Sequence, residues 1–280
     1  MPLTILFIGD VVGSPGRKIV SQVVPRLIHR RRIDLVVCNA ENSAGGSGLT
    51  IKCHEELVEA GVDVFTLGDH VYRKDEVFDL FERSDRLLRP ANFPPDAPGG
   101  EFVVVEARDG TPVAVFTLLG RTFMKPVDDP FRAADRILAE IGTSAKVVLV
   151  DFHAEATSDK QLLGRYLDGR VSAVLGTHTH VPTADERILP GGTAYQTDVG
   201  MTGPHESILG RRIDRVMAAT LTFIPHHFDV ATGDPRLNGA LVEVDPANGR
   251  ALSITRLAID RAEADRIMTD SSPDDGARRG

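Results

Sequence analysis

The chain has 280 residues, long enough for one large α/β core, and its formal charge is −8 from 32 Lys and Arg against 40 Asp and Glu. This acidic balance argues against an extended nucleic-acid surface, which is usually strongly basic. The two cysteines are too few for a disulfide framework and favour a reducing cytoplasm, and no apolar run is long enough to cross a bilayer.

Short, almost wholly apolar runs alternate along the chain with segments of helical spacing. The apolar runs are residues 4–9, 34–38, 62–67, 146–152 and 172–175, and the helical segments are residues 15–31, 51–60, 74–83, 130–141 and 159–167. Apolar strands that are covered on both faces and separated by helices are typical of parallel βαβ units. The sequence therefore predicts an α/β fold with parallel strands.

Two other segments predict β-hairpins. Residues 101–120 carry Asp109 and Gly110 between two apolar runs, and residues 239–259 carry Asn248 and Gly249 in the same position. They suggest a second, more antiparallel sheet, so we expect two mixed sheets face to face with helices outside. We expect one domain over residues 1–261, followed by a polar, frayed tail over residues 262–280.

Polar residues follow the carboxyl ends of the predicted parallel strands. Since ligands bind in the crevice beyond these ends, and buried carboxylates and imidazoles are costly without partners, their convergence indicates a metal site. Oxygen and imidazole ligands without thiolate suit transition metals such as manganese, iron, zinc, cobalt and nickel, and seven ligands are enough for two ions. Nine polar residues follow these strand ends, and the seven ligands are expected among them: Asp10, Asn39, Glu41, Asn42, Asp69, His70, His153, His178 and His180.

The segment GTHTHVPTAD, residues 176–185, follows the last of these strands. If the chain is extended there, side chains two residues apart point to the same side, so His178 and His180 would face a common object. A single His-x-His pair is about as consistent with two surface histidines in a loop. The rest of the chain favours the metal site.

Five blocks of the sequence resemble the calcineurin-like metallophosphoesterases, and more narrowly the YmdB-like bacterial 2′,3′-cyclic-nucleotide 2′-phosphodiesterases. They are GDVVGSPGR, CNAENSAGG, LGDH, DFHAEATSDK and GTHTHVPTAD, in that order, and RPANFP and TDVGMTG are similar as well. The resemblance implies a four-layer αββα sandwich with a binuclear metal centre. It also implies that Asp10, Asn42 and His180 hold one metal, that Asp69, His153 and His178 hold the other, that Glu41 bridges both, and that His70 is the general acid.

The activity implied by the resemblance is hydrolysis of 2′,3′-cyclic nucleotides such as 2′,3′-cyclic AMP to 3′-nucleotides. Two cations about 3.5 to 4 Å apart lower the pKa of a shared water and supply a hydroxide at neutral pH. His70 would protonate the departing ribose oxygen, or else be an eighth ligand or an outer hydrogen-bond donor. Iron or manganese is the expected cofactor, with zinc, cobalt, nickel and magnesium as alternatives.

Several residues outside the ligand set have two interpretations. The segment from Gly13 to Arg17 predicts a helix start with Ser14 as N-cap and Pro15 at the first helical position, which we slightly favour over a phosphate contact. The other candidates are Arg121, as a phosphate clamp or a surface ion pair, and Thr197 and Asp198, as supports behind the ligand histidines.

Two other functions remain open at this level. One is a broader phosphomonoesterase or nuclease with the same centre, although few aromatic residues and an acidic balance weaken the nuclease version. The other is a metal-binding or nucleotide-binding regulatory protein, against which the full ligand set and His70 argue. The expected partner is a small cyclic nucleotide, with no membrane. The sequence does not fix the oligomeric state, although many soluble enzymes of this size form symmetric homo-oligomers.

Asp69 stands where the family commonly has asparagine. Asp10, Glu41 and Asp69 bring −3 to two divalent ions at +4, so the net charge is +1 where asparagine would leave +2. If Asp69 is ionised and the metals are divalent, we predict that Asp69→Asn binds metal less tightly and has a lower KM for an anionic substrate. Metal titration and steady-state kinetics of both proteins test this, and unchanged values for both would contradict it.

Overall fold

The computed structural model describes residues 1–269, which form two mixed β-sheets stacked between two layers of helices. The strands are β1 (Leu3–Ile8), β2 (Leu35–Asn39), β3 (Val64–Thr66), β4 (Leu87–Leu88), β5 (Phe102–Glu106), β6 (Pro112–Leu119), β7 (Val147–His153), β8 (Ala173–Thr177), β9 (Arg187–Ile188), β10 (Ala194–Gln196), β11 (Gly203–Glu206), β12 (Gly233–Val244) and β13 (Ala251–Ile259). The helices are α1 (Gly13–Arg31), α2 (Ile51–Glu59), α3 (Glu76–Arg83), α4 (Pro130–Ile141), α5 (Thr157–Leu167), α6 (Ile213–Thr222) and α7 (Arg261–Thr269). The predicted four-layer α/β architecture is confirmed.

The first sheet has seven strands, in the order β11-β12-β1-β2-β3-β4, with β13 also paired to β12. Strands β1 to β4 are mutually parallel, and β12 lies antiparallel to β1. The second sheet has the order β5-β6-β7-β8-β10-β9, in which β6, β7, β8 and β10 are parallel and both edge strands are antiparallel.

Both predicted hairpins form, but the expectation that one sheet would be more antiparallel is wrong. The hairpin β5-β6 belongs to the second sheet and β12-β13 to the first, so each sheet combines a parallel centre with antiparallel additions. A two-residue turn pairs neighbouring strands locally. Which sheet the hairpin joins depends on long-range partners, here β7 for β6 and β1 for β12.

The period of two along the strands divides the core into layers. On β1, Leu3, Ile5 and Phe7 point into the space between the two sheets, whereas Leu6 and Ile8 pack against the outer helices. A third cluster lies between α4, α5 and the outer face of the second sheet. This packing brings the carboxyl ends of the central parallel strands of both sheets to one edge.

The predicted frayed tail is wrong for residues 262–269, which belong to helix α7. Ala264 and Ile267, three residues apart, are buried against the first sheet and its helices. Two apolar residues in a polar segment are a weak helical signal, so only packing reveals this helix. The rest of the predicted tail, residues 270–280, lies outside the described residues. Among residues 1–269, none of the helices has the length and apolar character needed to span a membrane.

Candidate metal centre

The polar residues predicted for the site lie together at the shared edge of the two sheets. Glu41 and Asp69 follow β2 and β3 of the first sheet, and His153 and His178 end or follow β7 and β8 of the second. One ligand atom from each of these four side chains lies within 4.8 Å of the others. The site is therefore built across the interface between the sheets.

His153 Nε2 is at the middle of this group. It lies 3.2 Å from Glu41 Oε1, 3.3 Å from Asp69 Oδ1 and 3.0 Å from His178 Nδ1. Burial alone would lower the pKa of His153, but the charge of Glu41 and hydrogen bonds to both carboxylates raise it well above its ordinary value. Without a metal, the carboxylates thus hold a proton on Nε2, at the position where a cation would replace it.

Asp10, Asn42 and His180 form a second group beside the first. His180 Nε2 lies 3.8 Å from Asp10 Oδ1 and 3.2 Å from the amide Nδ2 of Asn42. Asp10 is fully buried, and while its Oδ2 accepts the backbone N–H of His178 at 3.0 Å, its Oδ1 has no hydrogen-bond partner within the described part of the chain. A buried carboxylate oxygen without a donor is costly, and a bound cation would remove that cost.

The outward contacts of the three predicted ligand histidines fit a metal site. Each imidazole has one nitrogen against an oxygen outside the centre, so a cation that displaced any proton from the other nitrogen would meet its lone pair. The outer pairs are His153 Nδ1 with Thr177 Oγ1 at 2.9 Å, His178 Nε2 with Glu155 Oε2 at 3.2 Å, and His180 Nδ1 with the Leu209 carbonyl at 3.1 Å. The donor set therefore suits transition-metal ions.

The prediction that His178 and His180 share one side of an extended strand is wrong. Strand β8 ends at Thr177, and the two histidines have left-handed φ angles of 94° and 66°. Such backbone costs on the order of 1–3 kcal/mol per residue and persists where the surroundings hold it. Here Asp198 Oδ2 accepts the N–H of Thr179 at 3.1 Å and its hydroxyl at 2.8 Å, which fixes the turn between the two imidazoles.

Asp69 is ionised in this environment. Burial by itself would raise the pKa of Asp69, but hydrogen bonds from His153 and His178 and the charges of His153 and His70 bring it well below its ordinary value. The third carboxylate charge counted from the sequence is therefore present in the folded protein, which is the condition for the predicted effect of Asp69→Asn.

His70 lies next to the centre but outside the four-residue group. Its Nδ1 is 2.8 Å from Asn42 Oδ1, its backbone N–H donates to Glu41 Oε2 at 3.1 Å, and its side chain is 28% exposed. Burial lowers the pKa of His70, and the charges of Glu41 and Asp69 partly offset this. A ligand that approaches the centre from solvent can thus reach the partly exposed His70 imidazole.

Asn42 contacts His70 with its amide oxygen and His180 with its amide nitrogen, Oδ1 at 2.8 Å from His70 Nδ1 and Nδ2 at 3.2 Å from His180 Nε2. The amide oxygen can accept a proton held on Nδ1 of His70. In an imidazolium, the second proton is on Nε2, 3.8 Å from Asp69 Oδ2.

A family model described as YmdB-like protein matches residues 6–257, which is most of the chain. The chain belongs to the YmdB-like family. This confirms the resemblance that the five sequence blocks indicated.

Individual YmdB-like relatives match over nearly their whole lengths. A 2′,3′-cyclic-nucleotide 2′-phosphodiesterase of Bacillus subtilis is 48% identical over 257 residues, covering 92% of this chain and 97% of the relative. A solved structure of a hypothetical protein from Thermus thermophilus is 46% identical with a TM-score of 0.87, covering 92% of this chain and 99% of that one. A structure described as a novel phosphatase from Mycoplasma pneumoniae is 33% identical with a TM-score of 0.87, covering 93% and 94%.

In this YmdB-like chain, the Gly13 N–H at the helix start after β1 and the Arg17 side chain have partners within the protein. Gly13 donates its N–H to the Asn42 carbonyl at 3.0 Å, and Arg17 binds Glu56 at 2.6 Å and the Ser43 carbonyl. These contacts hold the loop that carries Asn42. The predicted N-cap at Ser14 is wrong, because the helix begins at Gly13 and its N-cap residue is Val12, which offers no side-chain cap.

The structure also shows the contacts of the other three candidates, which are Arg121, Thr197 and Asp198. Arg121 pairs with Asp129 at 3.3 Å, which is the surface ion pair considered from the sequence. Thr197 binds Asp185 at 2.5 Å, and no hydrogen bond joins it to a ligand histidine in the described structure. Asp198 supports the histidines through Thr179, and it binds the buried ammonium of Lys160 at 2.6 Å.

Sequence reasoning missed a buried network beneath the metal centre. Asp151 accepts hydrogen bonds from Asn39 Nδ2 at 3.0 Å, Thr66 Oγ1 at 2.6 Å and Thr177 Oγ1 at 2.7 Å, which joins strands of both sheets. Burial raises the pKa of Asp151 to about 6, although His153 and these hydrogen bonds oppose the shift. The one available signal was a carboxylate inside the apolar run KVVLVDF.

Asp151→Asn should weaken metal binding although Asp151 is no ligand. The amide replaces an acceptor oxygen with a donor, so Thr177 loses the partner that orients it toward His153. Removing such an outer partner typically costs 10- to 100-fold in metal affinity, and we expect about that loss in a chelator competition titration. Asp135→Asn, at an exposed carboxylate bound to Tyr166 and Arg170, is the control. Equal affinities for the two variants would contradict the role of Asp151.

Proposed function

We propose that this protein is a metal-dependent phosphodiesterase that hydrolyses 2′,3′-cyclic nucleotides to 3′-nucleotides. The observation that carries the proposal is the convergence of three imidazoles and three carboxylates at one sheet edge. The substrate class is supported by the name of the Bacillus subtilis relative, which is 48% identical over nearly the whole chain.

The ligands divide into two groups, which supports a centre of two ions. Asp69, His153 and His178 would hold one, Asp10, Asn42 and His180 the other, and Glu41, whose Oε1 lies within 3.5 Å of both His153 Nε2 and Asn42 Nδ2, would lie between them. Iron and manganese are the metals that we propose, because these oxygen and nitrogen donors suit them. The free, buried Cys38 and Cys53 fit a reducing cytoplasm, which we include in the proposal.

The reaction adds water across the bond between phosphorus and the ribose O2′. When bound, the ions activate the attacking water and neutralise charge on the phosphoryl oxygens. His70, as an imidazolium whose Nδ1–H donates to Asn42 Oδ1, would give the proton on its Nε2 to O2′ as the bond breaks and become a neutral imidazole. The products are a free 2′-hydroxyl group and a 3′-phosphate.

A broader phosphomonoesterase is the second candidate, because one structural neighbour is described as a phosphatase. The same ligand set suits both reactions, so substrate binding around the centre decides between them. Rates for 2′,3′-cyclic AMP and 3′-AMP, measured on one preparation, separate the two.

The first test is ³¹P NMR of 2′,3′-cyclic AMP with the manganese-loaded protein and with Asp10→Ala. We expect conversion to 3′-AMP by the wild type, and loss of that conversion in the variant, since Asp10 has a buried oxygen without a partner in the described structure. Persistence of the cyclic phosphate in a metal-loaded wild type would overturn the proposal. Release of inorganic phosphate from 3′-AMP would favour the phosphomonoesterase.

His70→Ala should lower kcat by about 10²- to 10⁴-fold without reducing the number of bound metal ions. The loss should be much smaller for bis(p-nitrophenyl) phosphate, because its leaving group needs no proton. Metal analysis and kinetics with both substrates make the comparison, with the exposed His227→Ala as control. Loss of metal from His70→Ala would instead identify His70 as a ligand.

A further inference from the structure

The loop between β6 and α4 reaches the metal centre. Its Lys125 donates from Nζ to the backbone carbonyl of Asp69 at 2.9 Å, although the two residues are 56 positions apart in the chain. Lys125 is exposed, and no acidic side chain pairs with it among residues 1–269. An ammonium with free donors therefore lies beside a residue of the centre.

The same loop is held firmly at its base. Asp159 accepts the backbone N–H groups of Arg121 and Thr122 at 3.2 and 3.0 Å and the Thr122 hydroxyl at 2.9 Å. At the other end, the Asp128 carbonyl accepts from Asn92 Nδ2 at 2.9 Å. Both ends of the loop are thus anchored by hydrogen bonds, and its tip lies between them.

Phe123 lies between these anchors with an exposed side chain and an unfavourable backbone conformation. Its side chain is 88% exposed, and its φ of 63° is left-handed, which is uncommon for a bulky residue. Residues in such conformations cluster at ligand clamps and active sites. Its Cα is at most about 7.6 Å from that of Lys125, since consecutive Cα atoms are 3.8 Å apart. An exposed aromatic ring and a free ammonium therefore share one short segment at the rim of the centre.

We propose that Phe123 and Lys125 form the nucleotide-recognition site of this protein. The ring stacks on the nucleobase, and the ammonium binds a non-bridging phosphate oxygen and offsets the repulsion from the buried carboxylates. The inference rests on the proposed function, because it takes a cyclic nucleotide as the ligand. Every nucleobase has a π-face, so stacking without base-edge contacts predicts little preference among the four bases.

Two substrates separate stacking from phosphate binding: 2′,3′-cyclic AMP, and methyl riboside 2′,3′-cyclic phosphate, which has no base. Phe123→Ala should raise the KM for cyclic AMP by about 5-fold or more and leave that of the base-free compound unchanged. Lys125→Gln should raise both KM values by a similar factor. If Phe123→Ala changes the KM of both substrates equally, the stacking role of Phe123 is wrong. If Lys125→Gln leaves both KM values unchanged, the phosphate-binding role of Lys125 is wrong.

The chain offers matched controls for both variants. Phe223 is 93% exposed with a left-handed φ of 56°, and Lys146 donates from Nζ to the Ala247 carbonyl at 2.9 Å, just before β7 and at the opposite end of that strand from His153. Phe223→Ala and Lys146→Gln should leave both KM values unchanged. Effects equal to those at Phe123 and Lys125 would mean that general surface changes, not recognition, cause them.

A binding measurement keeps this inference separate from the proposed function. The chain contains no tryptophan, so Phe123→Trp introduces a single tryptophan, whose fluorescence can be excited selectively over that of the tyrosines, at the proposed stacking position. We expect 3′-AMP to quench its fluorescence in the metal-loaded protein, and not that of Phe223→Trp. If the wild type hydrolyses neither substrate, the proposed function fails, whereas quenching at Phe123→Trp still supports the nucleotide site. If 3′-AMP quenches the fluorescence of Phe123→Trp and Phe223→Trp equally, or quenches neither, the proposed nucleotide site is contradicted.

Discussion

The structure depends on one electrostatic constraint, which is that carboxylates and imidazoles are buried together at the edge shared by two β-sheets. Each such group must find a donor or a counter-charge, because an unpaired buried charge costs several kcal/mol. His153 meets this need for Glu41 and Asp69, but Asp10 keeps one oxygen without a partner in the described structure. Bound metal ions would complete the arrangement, and the polar residues around the centre position the side chains that could hold them.

The support for this centre comes from the packing of the two sheets. Asp151 binds side chains from strands of both sheets, so the interface that forms the apolar core also orients His153 through Thr177. On the far side, Asp198 and Lys160 hold the strained turn that carries His178 and His180. Fold and site are therefore stabilised by the same contacts, and a change in the outer network should alter metal binding before it alters the overall architecture.

The central strands, five helices and both hairpins were predictable because their signals are local. Apolar runs, helical spacing and Asn-Gly or Asp-Gly turns act within a few residues. The candidate ligand residues were predictable for a related reason, since each lies only a few positions after an apolar run. Helix α7, the sheet to which each hairpin belongs and the left-handed turn after Thr177 were not predictable, because packing partners far away in the chain decide them.

The sequence by itself determined which chemical groups stand at the strand ends, and hence that this edge of the sheets can bind metal ions. The tertiary structure alone decided how those groups are used. It turned Arg17 toward Glu56 and the loop of Asn42, set which nitrogen of each histidine faces inward, and brought Lys125 to Asp69. The physical reason is that residue chemistry is carried by single positions, whereas orientation and tautomer depend on acceptors contributed by distant segments.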